Sequence, residues 1–413
     1  MTARRSTRHP HATHGILEIS RFVDPAFLLL VGTILCGGLV MLTSASISLA
    51  DRNTGNPFFY FERQMTAVVV GLIGAAAMLH IPSRFWERIG LLLVILAVGM
   101  LVLVLVPGFG STVNGSTRWL NIGGVNIIQV SEPARLLMLL YISGYAVRHR
   151  VELSDSFVGF LKPMLLVGMV CVLLLLEPDF GASVVMLCIT LSVLFVAGAR
   201  IRDFLLFSVV VVITLAILAV ASPYRMKRLL AFWDPWADPY DSGFQLTQSL
   251  IAIGSGEWFG VGLGGSVQKL FYLPEAHTDF VFAVIAEEFG LVGSIVVVAL
   301  FAALIWRALG IARESALAGR LYQANLAFGF AIWQAAQVFI NIGVNMGILP
   351  TKGLTLPLIS YGRSSLVVTL IALGLLMRID CENRQFAQAG SKRAAPRKPA
   401  GRKKKTVTKR RSR

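Results

Sequence analysis

Apolar positions in this chain run on in long unbroken blocks rather than recurring with the period of an amphipathic helix or a half-buried strand. Stretches long enough to cross a hydrocarbon layer of about 30 Å lie at about 24–48, 64–81, 89–106, 129–147, 161–177, 180–198, 203–221, 279–305, 324–348 and 364–379. Nothing resembles the short alternating segments of an outer-membrane barrel. The pattern predicts an all-α polytopic membrane protein with ten transmembrane helices, because in lipid only helices or closed barrels satisfy every backbone polar group. Arg4, Arg5, Arg8 and Arg21 precede the first block, but Ala26 to Leu42 is too long for a cleavable signal and reads as a retained first helix. Ten spans divide the chain into a tail at 1–23, a transmembrane domain at 24–380 and a second tail at 381–413, with a long external loop at 222–278 between the seventh and eighth helices. That loop carries Trp233, Trp236, Tyr240, Phe244, Trp258, Phe271 and Tyr272, side chains suited to a membrane surface. Its stretch Gln245 to Ile253 reads as a short interfacial helix.

Polar residues that interrupt the apolar blocks carry the candidate chemistry. In the fourth block, Glu132 and Arg135 stand three residues apart and share a helical face. A charge at that depth costs roughly 2.5–3.5 kcal/mol on insertion scales, so the two either lock helices together or line a cavity used by a substrate. Glu177-Pro178-Asp179-Phe180-Gly181 fits a tight external turn or an acidic rim to a site. Gly260, Gly262, Gly264 and Gly265 follow no βαβ pattern and point to a tightly folded loop, not a dinucleotide site. At the start of the eighth block, Pro274-Glu275-Ala276-His277-Thr278-Asp279-Phe280 brings titratable groups to the membrane boundary. Asp279 there suits either a helix cap or a general base, since partial burial raises a carboxylate's pKa toward the working pH. Glu287 and Glu288 lie about two turns deeper and either extend a polar path inward or are neutralised by partners such as Arg135. Gln334, Gln337, Asn341 and Asn345 form a stripe along the ninth block, for hydrogen bonds between helices or for a lined cavity. Between the last two blocks, Leu349 to Ser365 gathers Lys352, Arg363, Ser360, Ser364 and several glycines. This is a composition for binding phosphate or diphosphate, or for a loop anchored by snorkelling cations.

Composition narrows the classes. The 413 residues are 55% hydrophobic and 15% charged, which excludes a water-soluble globule. The formal charge of +16 is concentrated: the residues from Arg378 onward contribute a net +12. A basic tail after the last helix needs no nucleic acid to explain it and fits anionic inner-leaflet lipid. Lys and Arg in the remaining loops show no bias between the two sides, so the charged ends place both tails in the cytoplasm. Cys36, Cys171 and Cys188 lie in apolar runs and Cys381 at the start of the basic tail, which predicts neither a disulfide nor a metal site. His9, His11 and His14 belong to a solvated tail.

Pro274 to Phe280, Ser360-Tyr361-Gly362 and Asn114-Gly115-Ser116-Thr117-Arg118-Trp119 together closely resemble the SEDS family of bacterial membrane proteins (shape, elongation, division, sporulation), and the likeness covers about 24 to 380. Leu349-Pro350-Thr351-Lys352-Gly353-Leu354-Thr355-Leu356-Pro357 is similar to the division branch of that family rather than to its elongation branch. The resemblance implies ten helices in the bacterial inner membrane, at the division septum, and polymerisation of peptidoglycan glycan strands from lipid II. It assigns the essential aspartate to Asp279, the Arg-Trp pair to Arg118 and Trp119, and the intramembrane acid and base to Glu132 and Arg135. Glu275, His277, Lys352, Ser360, Arg363 and Ser364 join these as candidate substrate contacts. It also implies a class B penicillin-binding protein as transpeptidase partner, among other division proteins. Val130, Arg135 and Arg363 depart from the family's usual proline, lysine and glycine.

The leading expectation is an inverting glycosyltransferase in which Asp279 takes the proton of the acceptor 4-hydroxyl. Lys352, Arg118 and Arg363 would stabilise the departing diphosphate. No resident cofactor is called for, although such chemistry admits a divalent cation, magnesium or manganese. The alternative is a lipid II flippase that passes the headgroup along Glu132, Arg135, Glu287 and the Gln/Asn stripe. A purely structural division scaffold is the third reading.

Overall fold

The computed structural model describes residues 22–394, apart from 114, 124, 221–225, 227–229, 242 and 352. The two tails beyond these limits, with His9, His11 and His14, as well as Asn114 and Lys352, lie outside the described residues. Among the described residues ten helices have sixteen residues or more, and each falls on one of the expected apolar blocks. They are α1 (Pro25–Thr54), α2 (Phe59–His80), α4 (Gly90–Leu105), α5 (Ser131–Arg148), α7 (Phe157–Leu176), α8 (Phe180–Val196), α9 (Ile201–Val220), α11 (Val281–Leu317), α12 (Leu321–Asn345) and α13 (Arg363–Ala394). Short α3 (Ser83–Arg88) and α6 (Arg150–Asp155) turn the chain between them, and α10 (Phe244–Ser255) is a helix on the stretch of the long loop where a short one was expected. Among the described residues six helices (α1, α2, α7, α11, α12 and α13, the last counted over Arg363–Ala389) are both long and apolar enough to cross a membrane, while α4 and α8 are apolar but shorter. The protein is a multi-pass helical membrane protein.

Local chemistry sets several boundaries. Asp24 caps α1 by accepting from the N–H groups of Ala26 and Phe27, with Pro25 in the first turn. Gly55, at φ 69°, ends the same helix in the left-handed conformation. Where α2 meets α13, small residues permit close approach: a Cβ at Gly374 would stand 2.5 Å from the Ala75 carbonyl oxygen, and one at Gly71 the same distance from Leu370.

Three features depart from expectation. A three-stranded antiparallel sheet, ordered β1 (Gly110–Val113), β2 (Ser116–Ile122), β3 (Val125–Gln129), joins α4 to α5, so the body is all-helical but one connection is not. Its turns contain Gly115 and Gly123 with positive φ, as tight hairpins require. The fourth helix accordingly begins at Ser131, because 125–129 is strand. Second, α11 is broken at Gly290 (φ 65°, ψ −159°). The main-chain groups freed there are taken up by the glycine-rich loop: Val261 N–H donates to Glu287 O (3.0 Å), Gly262 N–H to Glu288 O (3.0 Å), and Leu291 N–H to Glu257 O (2.9 Å). This is how a membrane helix tolerates a break. It also explains the glycines, since a Cβ at Gly260 would lie 2.2 Å from Glu288 O. Third, α13 runs to Ala394 rather than ending near 380. Asp380, Glu382, Asn383 and Arg384, beyond the expected end, are held by Arg307 and Ser315 of α11, Ser83 of α3 and Asp24 at the cap of α1, and these contacts extend the packed helix.

Candidate active site

Two ends of the bundle can be told apart. Asp24 at the start of α1 and Asp380 and Arg384 near the end of α13 share ion pairs with each other and with Arg307 of α11, so both ends of the described chain lie together. Asp279 precedes α11 at the opposite end, roughly 40 Å from Arg307 at 1.5 Å per helical residue.

Asp279 is half-buried, and its position is set through its main chain. Its carbonyl oxygen accepts hydrogen bonds from Asn341 Nδ2 (2.9 Å) and Asn345 Nδ2 (3.0 Å). Asn345 Oδ1 accepts from Ala283 N–H (3.1 Å), fixing the first turn of α11 from the side. Asn341 also donates to Leu354 O (2.6 Å), and Gln337 Nε2 donates to Thr355 O (3.0 Å). Gln337, Asn341 and Asn345 of the α12 stripe therefore form a clamp that holds two irregular segments, 279–283 and 354–355, against each other, while Gln334 of the same stripe is buried with neither amide atom bonded. The Gly353 backbone is brought so close that a Cβ there would stand 2.8 Å from Asp279 Oδ2.

Glu132 and Arg135 join the same network. Their buried side chains pair at 3.3 Å, as the three-residue spacing anticipates. Arg135 Nη1 also donates to Gln337 Oε1 (3.3 Å), and its guanidinium lies 5.3 Å from the centre of the Trp333 ring. Trp333 Nε1 donates to the same Gln337 oxygen (2.8 Å).

The sheet brings a second group to this end. Arg118 on β2 places Nη1 3.8 Å from Asp179 Oδ2. Asp179 caps α8 through Ala182 N–H (3.0 Å). Trp119 pairs with Gln129 across the strands. Gln129 N–H donates to Ser364 Oγ (2.9 Å), and Arg363 Nη2 donates to Asn126 O (3.3 Å), tying the sheet to the start of α13. Glu177 in the same turn is fully buried, and neither carboxylate oxygen has a hydrogen-bond partner. Burial first, then the neighbouring Asp179 charge, push its pKa up to about 8, against the opposing pull of Arg118.

His277 is buried beside Tyr60 and Tyr361, with ring centres 4.7 and 5.7 Å away, and burial holds its pKa below the ordinary value against the pull of Glu275. Its carbonyl accepts from Tyr361 N–H (2.9 Å). Glu275 is exposed at φ 55°, and its carboxylate accepts from Thr278 Oγ1 (2.6 Å). Ser360 accepts at Oγ from Leu356 N–H (2.8 Å), while its carbonyl accepts from Gln64 Nε2 (3.1 Å). Gln64, Gln129 and Trp333 are residues of this candidate site that the sequence reading passed over.

Glu287 and Glu288 belong elsewhere. Glu287 accepts from Ser266 Oγ and from Val267 N–H (2.8 Å). Glu288 pairs with Lys269 Nζ (2.7 Å) and accepts from Ser44 Oγ (2.7 Å). Their partner is the loop that folds back over the helix break, not Arg135. Among the described residues no three His, Cys, Asp or Glu side chains converge on a metal position. A magnesium ion here would fit only the mode in which one or two carboxylates and substrate phosphates share the coordination.

Comparison with known proteins bears on this arrangement. Residues 25–385 match the FtsW/RodA/SpoVE family, described as cell cycle proteins. The chain is 56% identical over 366 residues to the probable peptidoglycan glycosyltransferase FtsW of Thioalkalivibrio sulfidiphilus, covering 89% of this chain and 91% of that one. The Legionella pneumophila protein of the same name is 51% identical over 347 residues, covering 84% and 88%. Among solved structures, a chain of a peptidoglycan synthase complex that coordinates polymerization and crosslinking superposes with a TM-score of 0.73 at 31% identity, covering 88% of this chain and 99% of that chain. The rod shape determining protein RodA of Thermus thermophilus gives 0.64 at 30% identity, covering 87% and 96%. On the extent of these matches, the chain belongs to the FtsW/RodA/SpoVE family of membrane-embedded cell cycle proteins.

Proposed function

We propose that this protein is a peptidoglycan glycosyltransferase that polymerises lipid II into glycan strands, with Asp279 as general base. The observation that carries the reading is the clamp at Asp279: two α12 asparagines fix its main chain, and the Gly353 backbone stands against its carboxylate. A base held in this way is poised before substrate arrives. Asp279 removes the proton from the acceptor sugar's 4-hydroxyl as that oxygen bonds to the anomeric carbon of the lipid-linked glycan. The bond from that carbon to the diphosphate breaks on the opposite side, and its electron pair leaves with the diphosphate, inverting the centre. Arg118 and Arg363, on the sheet and at the start of α13, supply positive charge at this end, and Lys352 is the third cation of the proposal. Glu275, His277, Trp119, Ser360 and Ser364 shape the surroundings, while Glu132 and Arg135 act through Gln337 as positioning residues.

A flippase needs a continuous polar path, and most of the polar groups nominated for one are spent otherwise. Gln337, Asn341 and Asn345 bind main-chain carbonyls, Arg135 binds Glu132 and Gln337, and Glu287 lies under a different loop, which leaves Gln334 alone in the α12 stripe with neither amide atom bonded. The basic sequence after residue 394 and the shared location of Asp24 and Arg384, near the two ends of the described residues, support cytoplasmic termini. The resemblance to a synthase complex that joins polymerization to crosslinking supports a class B penicillin-binding transpeptidase as partner, and the family supports work at the division septum.

The test is polymerisation of lipid II by purified protein, with and without that transpeptidase. Asp279→Asn should bind lipid II and unfold at the wild-type temperature, yet lose activity by about 10²–10⁴-fold, the usual contribution of a positioned general base. Glycan polymer at the wild-type rate from that variant would remove Asp279 from the mechanism.

A further inference from the structure

A cavity of about 580 Å³ opens beside the loop that carries Lys269, a size within the range of roughly 300–1,000 Å³ typical of small-ligand sites. Leu39, Val40 and Ile47 of α1 form one wall, Phe58 and Phe61 at the head of α2 a second, and Leu270 a third. Val40, Ile47, Phe58 and Leu270 are themselves exposed. A rim of exposed aliphatic and aromatic side chains along a membrane-spanning helix opens to lipid, not to water. Ser44, on the same wall, lies about 30 Å along α1 from Asp24 at 1.5 Å per residue, so the cavity stands at the Asp279 end of the bundle.

One end of this apolar slot is polar. Lys269 Nζ donates to Ser44 Oγ (2.9 Å) and to Glu288 Oε1 (2.7 Å), which uses two of the three donors of an ammonium. The slot also shares a wall with the proposed active site. Phe61 lines it, and the preceding residue, Tyr60, packs on His277 and Tyr361 with ring centres 4.7 and 5.1 Å away. An apolar slot open to the bilayer, with a cation at one end and a catalytic segment behind one wall, suits a long hydrocarbon chain that ends in phosphate.

We propose that this chamber binds the polyprenyl chain of the lipid-linked substrate, the chain lying in the slot between α1 and α2 and its phosphate end directed to Lys269. The proposal deepens the reading given above, since it rests on a polyprenyl-diphosphate substrate for that activity. It assigns the chain a fixed seat in the protein.

The test uses the full-length protein in nanodiscs of phosphatidylethanolamine and phosphatidylglycerol, with a polyprenyl diphosphate that carries a diazirine on its isoprenoid chain. Irradiation should label peptides spanning 39–48 and 263–270, and unlabelled polyprenyl diphosphate should displace the label where excess phosphatidylglycerol does not. Displacement by phosphatidylglycerol to the same extent would make the chamber an ordinary lipid contact, and labelling confined to other peptides would place the chain elsewhere; either result overturns the proposal. Filling the slot with Val40→Trp or Ile47→Trp should raise KM for long-chain lipid II by about tenfold with kcat unchanged, the signature of lost uniform binding. A short-chain lipid II analogue should show the same KM with variant and wild type. An unchanged long-chain KM in both variants counts against the chamber. Labelling reads occupancy without turnover, so a protein that labels here yet makes no polymer would overturn the glycosyltransferase reading and leave the chamber standing.

Discussion

At the end of the bundle where α1 begins and α13 finishes, charges are saturated by one another. Arg307 reaches Asp24 (3.1 Å), Asp380 (2.8 Å) and Glu314 (3.3 Å), Arg384 reaches Asp24 and Asp380, and Glu382 takes both Arg320 and Arg378 as well as the N–H and hydroxyl of Ser83. At the Asp279 end the same residue types are used differently. Asn341, Asn345, Gln337 and Gln64 donate to main-chain carbonyls, Arg118 stands 3.8 Å from Asp179, and Glu177 is buried with neither oxygen bonded. One end uses charge to brace helices. The other uses neutral amides to fix the backbone, and among the described residues it leaves the Glu177 carboxyl buried without a hydrogen bond. A buried polar group without a partner is costly, so that carboxyl is where the contrast between the two ends is sharpest.

The brace is tested by Arg307→Ala. Removing the shared guanidinium leaves Arg384 as the one cation between Asp24 and Asp380 among the described residues, and Asp380 loses its 2.8 Å partner on α11. Breaking a largely buried ion pair from one side costs about 3 kcal/mol or more. The variant should unfold at a clearly lower temperature in detergent, while activity per folded molecule stays at the wild-type level. Lost turnover with unchanged unfolding temperature would mean that this end takes part in catalysis, and the contrast between the ends would fail.

A smaller effect is expected on the other side of the comparison. Asn345→Leu keeps the branching and number of side-chain heavy atoms but removes the donors to Asp279 O and Asn341 O and the acceptor for Ala283 N–H. The Asp279 main chain then loses one of its two side-chain anchors. Turnover should fall by 10- to 100-fold, about 1.4–2.7 kcal/mol in the barrier, with KM little changed, because the loss concerns alignment of the base rather than substrate contact. Equal falls in kcat for Asn345→Leu and for a substitution in the Arg307 cluster would erase the distinction.

What could be read in the sequence follows the same division. The ten helices are legible because apolar block length is a local property, and Glu132 with Arg135 because i,i+3 spacing fixes their meeting whatever surrounds them. The α12 stripe shows in the sequence as a stripe, but its partners are carbonyls in segments folded over from 279 and 354, which no local pattern names. Lys269 as the partner of Glu288 is not legible in the sequence, which offers Arg135 only as one example beside an inward polar path, because the pairing depends on a loop turning back over a break at Gly290. The sheet was missed because its strands of four, seven and five residues are too short for period-two alternation to stand out beside two membrane helices. Asp279 stands out in the sequence by its motif, but the clamp on its main chain does not.

Glu177→Gln asks the finest question, whether a buried unbonded carboxyl at the Asp279 end is held neutral. Its pKa in the folded protein, raised from 4.5 to about 8, means that between those values the native state keeps a proton that the unfolded chain has released. Stability therefore falls as pH rises through that window and levels off above it, a slope that the glutamine variant lacks. Wild type should lose stability relative to Glu177→Gln between pH 4.5 and 8, with the two curves parallel outside that range. At pH 7 the amide mimics the protonated acid, so polymerisation should stay within about twofold of wild type, the size of change expected where no hydrogen bond is lost. Near pH 9 the wild-type side chain becomes an added negative charge beside Asp179 and Arg118, and its activity should drop below that of the variant. A tenfold loss in Glu177→Gln at pH 7 would show instead that the ionised carboxylate is needed. Arg118 would then be shared between Asp179 and Glu177, and the acidic turn would belong with the saturated charges at the far end rather than with the Asp279 site.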